Sequence, residues 1–168
     1  MDRRFADLAR NIVYQQLAGK AAASIHGRFV DALEGDVCAE RVLATPEPLL
    51  RSCGLSGSKT SSILDLADKV SSGTVVLDRI GRLSDEEVVS HLTVVRGVGP
   101  WTAQMFLIST LSRLDVWPTG DYGVRAGFAR AWSLDEVPAP KELEELGERY
   151  RPYRSLVAWY CWRAADER

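Results

Sequence analysis

At 168 residues, 46% of them hydrophobic and 26% charged, the chain has the size and make-up of an ordinary soluble domain with a real core. Its formal net charge of -2 speaks against a protein that holds nucleic acid by bulk positive charge, although a local grip built from backbone amides needs few cations. Cys38, Cys53 and Cys161 lack the spacing of a metal site or disulfide framework and fit a reducing cytoplasm; neither a signal peptide nor a membrane-length apolar run is evident.

In chain order, Phe5, Leu8, Ala9, Ile12 and Val13 mark a helix over 3–18 that runs into Tyr14-Gln15-Gln16-Leu17 and breaks at Gly19. A second helix is expected from Lys20 to Leu33. Thr45-Pro46 reads as an N-cap with an N1 proline opening a brief helix through Leu49 and Leu50. Cys53 to Lys59 reads as a loop, followed by an amphipathic helix carrying Ile63, Leu64, Ala67 and Val70 and closed by Ser71-Ser72-Gly73. Ser84-Asp85-Glu86-Glu87 is a capping box and opens the first helix of a pair.

The pair meets at Arg96-Gly97-Val98-Gly99-Pro100, a link too short and glycine-rich to be other than a tight hairpin, with Val98 plugged inward. Gly97 and Gly99 allow positive φ, and Pro100 suits the first position of the next helix. Helix N-terminal amides there suit a phosphate, so the hairpin predicts a grip on a DNA backbone. Arg113 to Gly120 is a loop, Asp121 begins a helix through Ala131, and Pro138-Ala139-Pro140 precedes a charged helix to about Tyr150. Pro152 starts the last helix, which reaches Ala165. Its apolar stripe reads as Leu156, Val157, Tyr160, Cys161 and Ala164, with Trp159 and Trp162 on the opposite flank. No stretch alternates as a strand does, and the fold class is all-α.

Asp121 is an N-cap by position, and an aspartate held by helix N–H groups is also a rigid carboxylate able to stabilise a cationic transition state or orient water. Trp101, in the first turn after the hairpin, and the two off-stripe tryptophans are either core residues or walls able to stack a flat ligand. Lys20, Lys59, Arg96 and Arg125 are ordinary surface cations or phosphate contacts, and His26 and His91 receive no role.

The hairpin GVGPWTAQ, the downstream Pro118-Thr119-Gly120-Asp121-Tyr122-Gly123, the opening IVYQQLAGKAA and the closing RPYRSLVAWYCWR together resemble the helix-hairpin-helix DNA glycosylases with a Gly/Pro-rich loop and aspartate. Within them the likeness is to the 3-methyladenine DNA glycosylase II branch, in the right order over nearly the whole chain. The resemblance implies one domain over 1–168, a compact helical bundle with its hairpin at 92–108 and a base pocket between two helical subdomains. Asp121 matches the catalytic aspartate. Trp101 stands where bifunctional members place a Schiff-base lysine, so no imine with the sugar and no strand cleavage are expected.

The same resemblance implies a base pocket of Trp101, Trp162, Tyr14 and Met105, the last replacing an aromatic of some relatives. Gln16 or Leu17 would enter the gap left by an extruded nucleotide, and Gln15, Lys59, Gly97, Gly99 and Thr102 would complete the DNA contacts. The main-chain carbonyls of Thr93, Val95 and Val98 match those that hold a structural Na+ or K+; no cofactor is required, and no iron–sulfur cysteines follow. The chain begins almost at the first motif, without the N-terminal β domain of longer bacterial enzymes. The expected protein is a cytoplasmic, nucleoid-associated monomer acting on double-stranded DNA with damaged bases. A non-catalytic hairpin module and a glycosylase for another damaged or mismatched base are the alternatives.

Overall fold

A computed structural model of the chain describes residues 3–166, and among the described residues the regular structure is helical throughout. Where the sequence shows no linker, the chain nonetheless divides into two compact units, Met1–Phe106 and Leu107–Arg168. No helix among the described residues is long and apolar enough to cross a membrane.

The first unit opens with α1 (Arg3–Tyr14), which buries Phe5, Leu8, Ala9, Ile12 and Val13 on one face. The helix stops at Tyr14, four residues before the expected end, because the chain turns at Gln16 with φ at 54°. Gly19, expected to break a helix, is instead the first residue of α2 (Gly19–Ala32). Next come two short helices, α3 (Ala39–Ala44) and α4 (Glu47–Ser52). Sequence periodicity missed α3, which is too short to show a repeat. It also misread Thr45, whose hydroxyl turns back to donate to Arg41 O at 2.8 Å and so closes α3 rather than capping α4. Pro46 is the N-cap of α4 and Glu47 its first residue.

The helix α5 (Gly57–Ser71) takes in the last three residues of the expected loop, since Ser56 caps it by accepting from Lys59 N. It packs against α1, α3 and α4, with Ile63, Leu66 and Ala67 fully buried. His91 and His26 both acquire partners: His91 Nε2 accepts the Val76 N–H at 2.9 Å, and His26 lies edge-on to Tyr14 with ring centroids 6.1 Å apart. The capping box forms as expected at the head of α6 (Asp85–Leu92), where Glu87 N donates to Ser84 Oγ and Ser84 N to Glu87 Oε2. A tight turn leads into α7 (Pro100–Ser109), which buries Thr102, Ala103, Phe106 and Leu107 and leaves Pro100, Trp101 and Ser109 exposed.

The second unit contains α8 (Tyr122–Ala131), α9 (Pro140–Gly147) and α10 (Arg154–Asp166) around a core of Trp117, Val124, Phe128, Leu143, Ala158 and Cys161. The last helix begins at Arg154 rather than Pro152, and its buried face is not the expected one. Ser155, Ala158 and Cys161 point inward, while Leu156 and Tyr160 stay exposed. The cause is close packing of α8 on α10: a Cβ at Gly127 would collide with the main-chain carbonyl of Cys161, and only small residues tolerate that approach. Burial among these apolar groups pushes the Cys161 thiol up to about 12.

An ion-pair cluster fixes the start of α10. Arg154, 8% exposed at its side chain, donates to Asp115 Oδ1 at 2.7 Å and to Asp115 Oδ2 and O at 3.1 Å, with Glu144 and Glu148 beside it. The hydrogen bond and charge of Arg154 hold the Asp115 carboxyl below the ordinary carboxylate range. A carboxyl lowered by folding stabilises the protein above its ordinary value and loses that contribution as pH falls through its folded one. Asp115→Asn is expected to cost about 1 to 3 kcal/mol near neutrality, since it strips a buried arginine of its main partner. The gap between variant and wild-type melting temperatures should then shrink below about pH 4. Thermal melts across pH check this, and a gap independent of pH would contradict it.

Candidate nucleic-acid interface and active site

In the first unit the turn between α6 and α7 is closed by Val95 N donating to Leu92 O and Val98 N donating to Val95 O, both at 3.1 Å. Val98 is buried, as expected, and Pro100 is the first residue of α7. Of the two glycines only Gly97 has positive φ, at 73°; Gly99 does not, so its expected freedom is not used. Gly97 is also sterically required, because a Cβ there would run into Ser62 Oγ on α5. Next to it, Arg96 N donates to Asp65 Oδ2 at 2.7 Å. Burial pushes the Asp65 carboxyl up, but the Arg96 N–H and the ammonium of Lys69 outweigh it and hold the group below its ordinary value.

Beside this turn lies an open recess of about 410 Å³ lined by Gln15, Gln16, Gly97, Trp101 and Thr102. Trp101 is 41% exposed, so it is not the core aromatic that composition alone allows, and it presents a large apolar face beside the hairpin. Gln16 and Leu17 are exposed on the adjoining turn.

Three residues expected to touch DNA also form hydrogen bonds inside the unit. Gln15 Nε2 donates to Gly97 O at 3.0 Å and to Thr102 Oγ1 at 2.9 Å, and Thr102 itself is buried. Lys59 Nζ donates to Val13 O and Gln15 O, each at 2.7 Å, satisfying carbonyls that the end of α1 leaves open. Burial lowers the Lys59 ammonium from its usual value. Tyr14 does not line the recess; Arg10 lies over its ring at 4.5 Å and His26 meets its edge. Met105 is half-buried on α7.

The second unit positions the carboxylate. Trp117, buried, donates Nε1–H to Leu143 O at 2.8 Å and anchors the loop, which then tightens through Thr119 N to Trp117 O and Asp121 N to Pro118 O, both 2.9 Å. Asp121 is the N-cap of α8 and not its first residue: Oδ1 accepts from Val124 N at 2.9 Å. The same oxygen accepts from Trp162 Nε1 at 3.1 Å. Two donors on one oxygen fix the rotation of the carboxylate. Trp162 therefore turns toward Asp121 and the core, whereas Trp159, with Arg163 at 5.7 Å over its ring, is 52% exposed.

Gly123, which sequence reasoning passed over, makes this possible. A Cβ there would sit 3.0 Å from Asp121 Oδ1 and 3.1 Å from Trp162 Cδ1, so a side chain would press the indole off the carboxylate. The spacing Asp-x-Gly after the loop was the only local sign of it.

Residues 9–152 match the model of the HhH-GPD superfamily of base excision DNA repair proteins. The chain belongs to that superfamily. Over 169 residues it is 32% identical to DNA-3-methyladenine glycosylase 1 of Schizosaccharomyces pombe, covering 96% of this chain and 72% of that protein. The solved structure of the S. pombe 3-methyladenine DNA glycosylase in complex with abasic DNA superposes with a TM-score of 0.88 at 32% identity, over 95% of this chain and 79% of the other. A DNA-3-methyladenine glycosidase from Bacillus halodurans gives 0.86 at 32% identity, over 97% and 76%. In this HhH-GPD chain the matched span takes in the α6–α7 hairpin, the Asp121 cap and the first turn-forming glutamines.

Proposed function

We propose that the protein is a monofunctional DNA glycosylase that hydrolyses the N-glycosidic bond of alkylated bases of the 3-methyladenine type in duplex DNA, leaving an abasic site. The observation that carries this reading is the carboxylate of Asp121, held through one oxygen by Val124 N–H and Trp162 Nε1–H at the head of α8. Superfamily membership and relatives named for 3-methyladenine excision support the choice of reaction.

A base in the stack is out of reach, so the nucleotide is extruded at a cost of roughly a few kcal/mol. Alkylation at N3 or N7 makes a purine cationic, and an aromatic face such as that of Trp101 favours a cation by roughly 0.5 to 2 kcal/mol. The charged base leaves without a general acid. As the bond to C1′ breaks, positive charge grows on the sugar, and a fixed carboxylate stabilises it or orients the attacking water. Trp101 offers no amine for an imine, which supports hydrolysis without strand cleavage.

A monovalent cation belongs to the same proposal. By the family resemblance, the neutral main-chain oxygens of Thr93, Val95 and Val98 would supply ligands suited to Na+ or K+ rather than to a transition metal, and such an ion would add positive charge beside a bound phosphate. The place of action is the chromosome, in a reducing compartment compatible with three free thiols, and one copy of the chain suffices.

Single-turnover assays on duplexes carrying 3-methyladenine, 7-methylguanine, ethenoadenine or hypoxanthine test the reading. The expected result is release of the cationic methylpurines, with strands cut only after alkaline treatment and no adduct trapped by borohydride. A borohydride-trapped wild-type adduct would overturn the monofunctional assignment, and no release from any duplex would overturn the glycosylase assignment.

A further inference from the structure

One face of α5 holds both of the turns that a DNA-extruding enzyme needs. Lys59, Ser62 and Asp65 follow one another at three-residue spacing, which places them on neighbouring positions of the helix surface. Lys59 is rooted by its own N–H, bonded to Ser56 Oγ at 3.2 Å, and its ammonium gathers Val13 O and Gln15 O at the end of α1. Ser62 fills the space beside Gly97, and Asp65 receives Arg96 N. Gln15 then joins the two turns directly, its amide nitrogen reaching Gly97 O and Thr102 Oγ1.

Between these bonds stands Gln16 at φ 54°, a conformation that costs a non-glycine residue about 1 kcal/mol or more and persists where its neighbours are fixed. We infer that Lys59 and Gln15 are positioning residues that lock the Gln16-Leu17 turn to the hairpin, so that the wedge cannot recoil when it displaces a nucleotide from the stack. The inference rests on the glycosylase reading above. Grip on the DNA backbone and pressure on the base stack are then exerted by one rigid body. Neither side chain needs to touch the reacting atoms. Breaking the tie weakens extrusion, whose cost of roughly a few kcal/mol must be met by the wedge.

The test uses the full chain and two variants, Lys59→Met and Gln15→Glu, the second of which keeps size while removing the amide donors. Two duplexes each carry one 7-methylguanine, either paired with cytosine or unpaired in a single-nucleotide bulge, where most of the extrusion cost is already met. Single-turnover release from the paired lesion is expected to fall about tenfold for each lost tie, the loss set by one charge-assisted or bidentate hydrogen bond. From the bulge it should fall less than about threefold, because little unstacking remains to be driven. A 2-aminopurine beside the paired lesion should brighten less than with wild type.

Equal losses on paired and bulged substrates would overturn the inference and leave the two side chains a purely structural role. If Lys59→Met does not fold, Gln15→Glu alone decides by the same comparison. A wild-type protein inactive on both substrates and on the 3-methyladenine, ethenoadenine and hypoxanthine duplexes would instead overturn the glycosylase reading, and the inference with it.

Discussion

Asp121→Asn is expected to lower single-turnover release of methylated bases by about a thousandfold, the scale on which removal of one preorganised electrostatic group acts in a transition state. The substitution isolates charge from structure. Asparagine is as good an N-cap as aspartate, and its carbonyl oxygen can still accept from Val124 N and Trp162 Nε1. The α8 cap, the indole position and the melting temperature should therefore stay close to wild type, with stability changing by less than about 1 kcal/mol. Affinity for duplex DNA should survive as well, since the proposed backbone grip at Gly97 to Pro100 does not use this carboxylate. A variant that releases methylated bases at the wild-type rate would sink the mechanism. Loss of activity together with loss of fold would show that the negative charge itself is needed for folding.

Gly127→Ala is expected to destabilise the second unit by about 3 kcal/mol or more, lowering the melting temperature by about 10 °C. The sign is diagnostic because two effects oppose each other. Alanine in a helix interior normally gains about 1 kcal/mol over glycine. At this position, however, the added Cβ meets the main-chain carbonyl and Cα of Cys161, and no flexible side-chain end is there to give way. Packing outweighs propensity. The helices that must part are the ones that carry Asp121 at the head of α8 and Trp162 on α10, so base release should fall in step with stability. A wild-type melting temperature in Gly127→Ala would mean that α8 and α10 do not approach as closely as described.

Signals confined to a few neighbouring residues were legible in the sequence. The Ser84 capping box, Pro100 opening α7, Val98 turned inward and Asp121 at the head of α8 all depend on bonds spanning three or four residues, and each appears where its motif stands. The face of α10 was not legible. Its outward residues, Leu156, Trp159 and Tyr160, are more apolar than the inward Ser155 and Ala158, because closeness to Gly127 selects there for size ahead of hydrophobicity. The brief helix α3 was missed for a different reason: six residues hold under two turns, too few to show a period.

By itself the sequence determined the all-α class, the hairpin, the capped carboxylate and the absence of an amine at position 101, since each is written in local residue types and their order. Tertiary structure alone decided what the polar side chains do. Nothing local signals that folding gives Lys59 and Gln15 partners 44 and 82 residues away. Arg154 finds Asp115 39 residues back, and Trp162 meets Asp121 across 41. No periodicity records such pairs. A long polar side chain bonds wherever packing leaves an unsatisfied carbonyl or carboxylate, and that is settled only when the helices have docked.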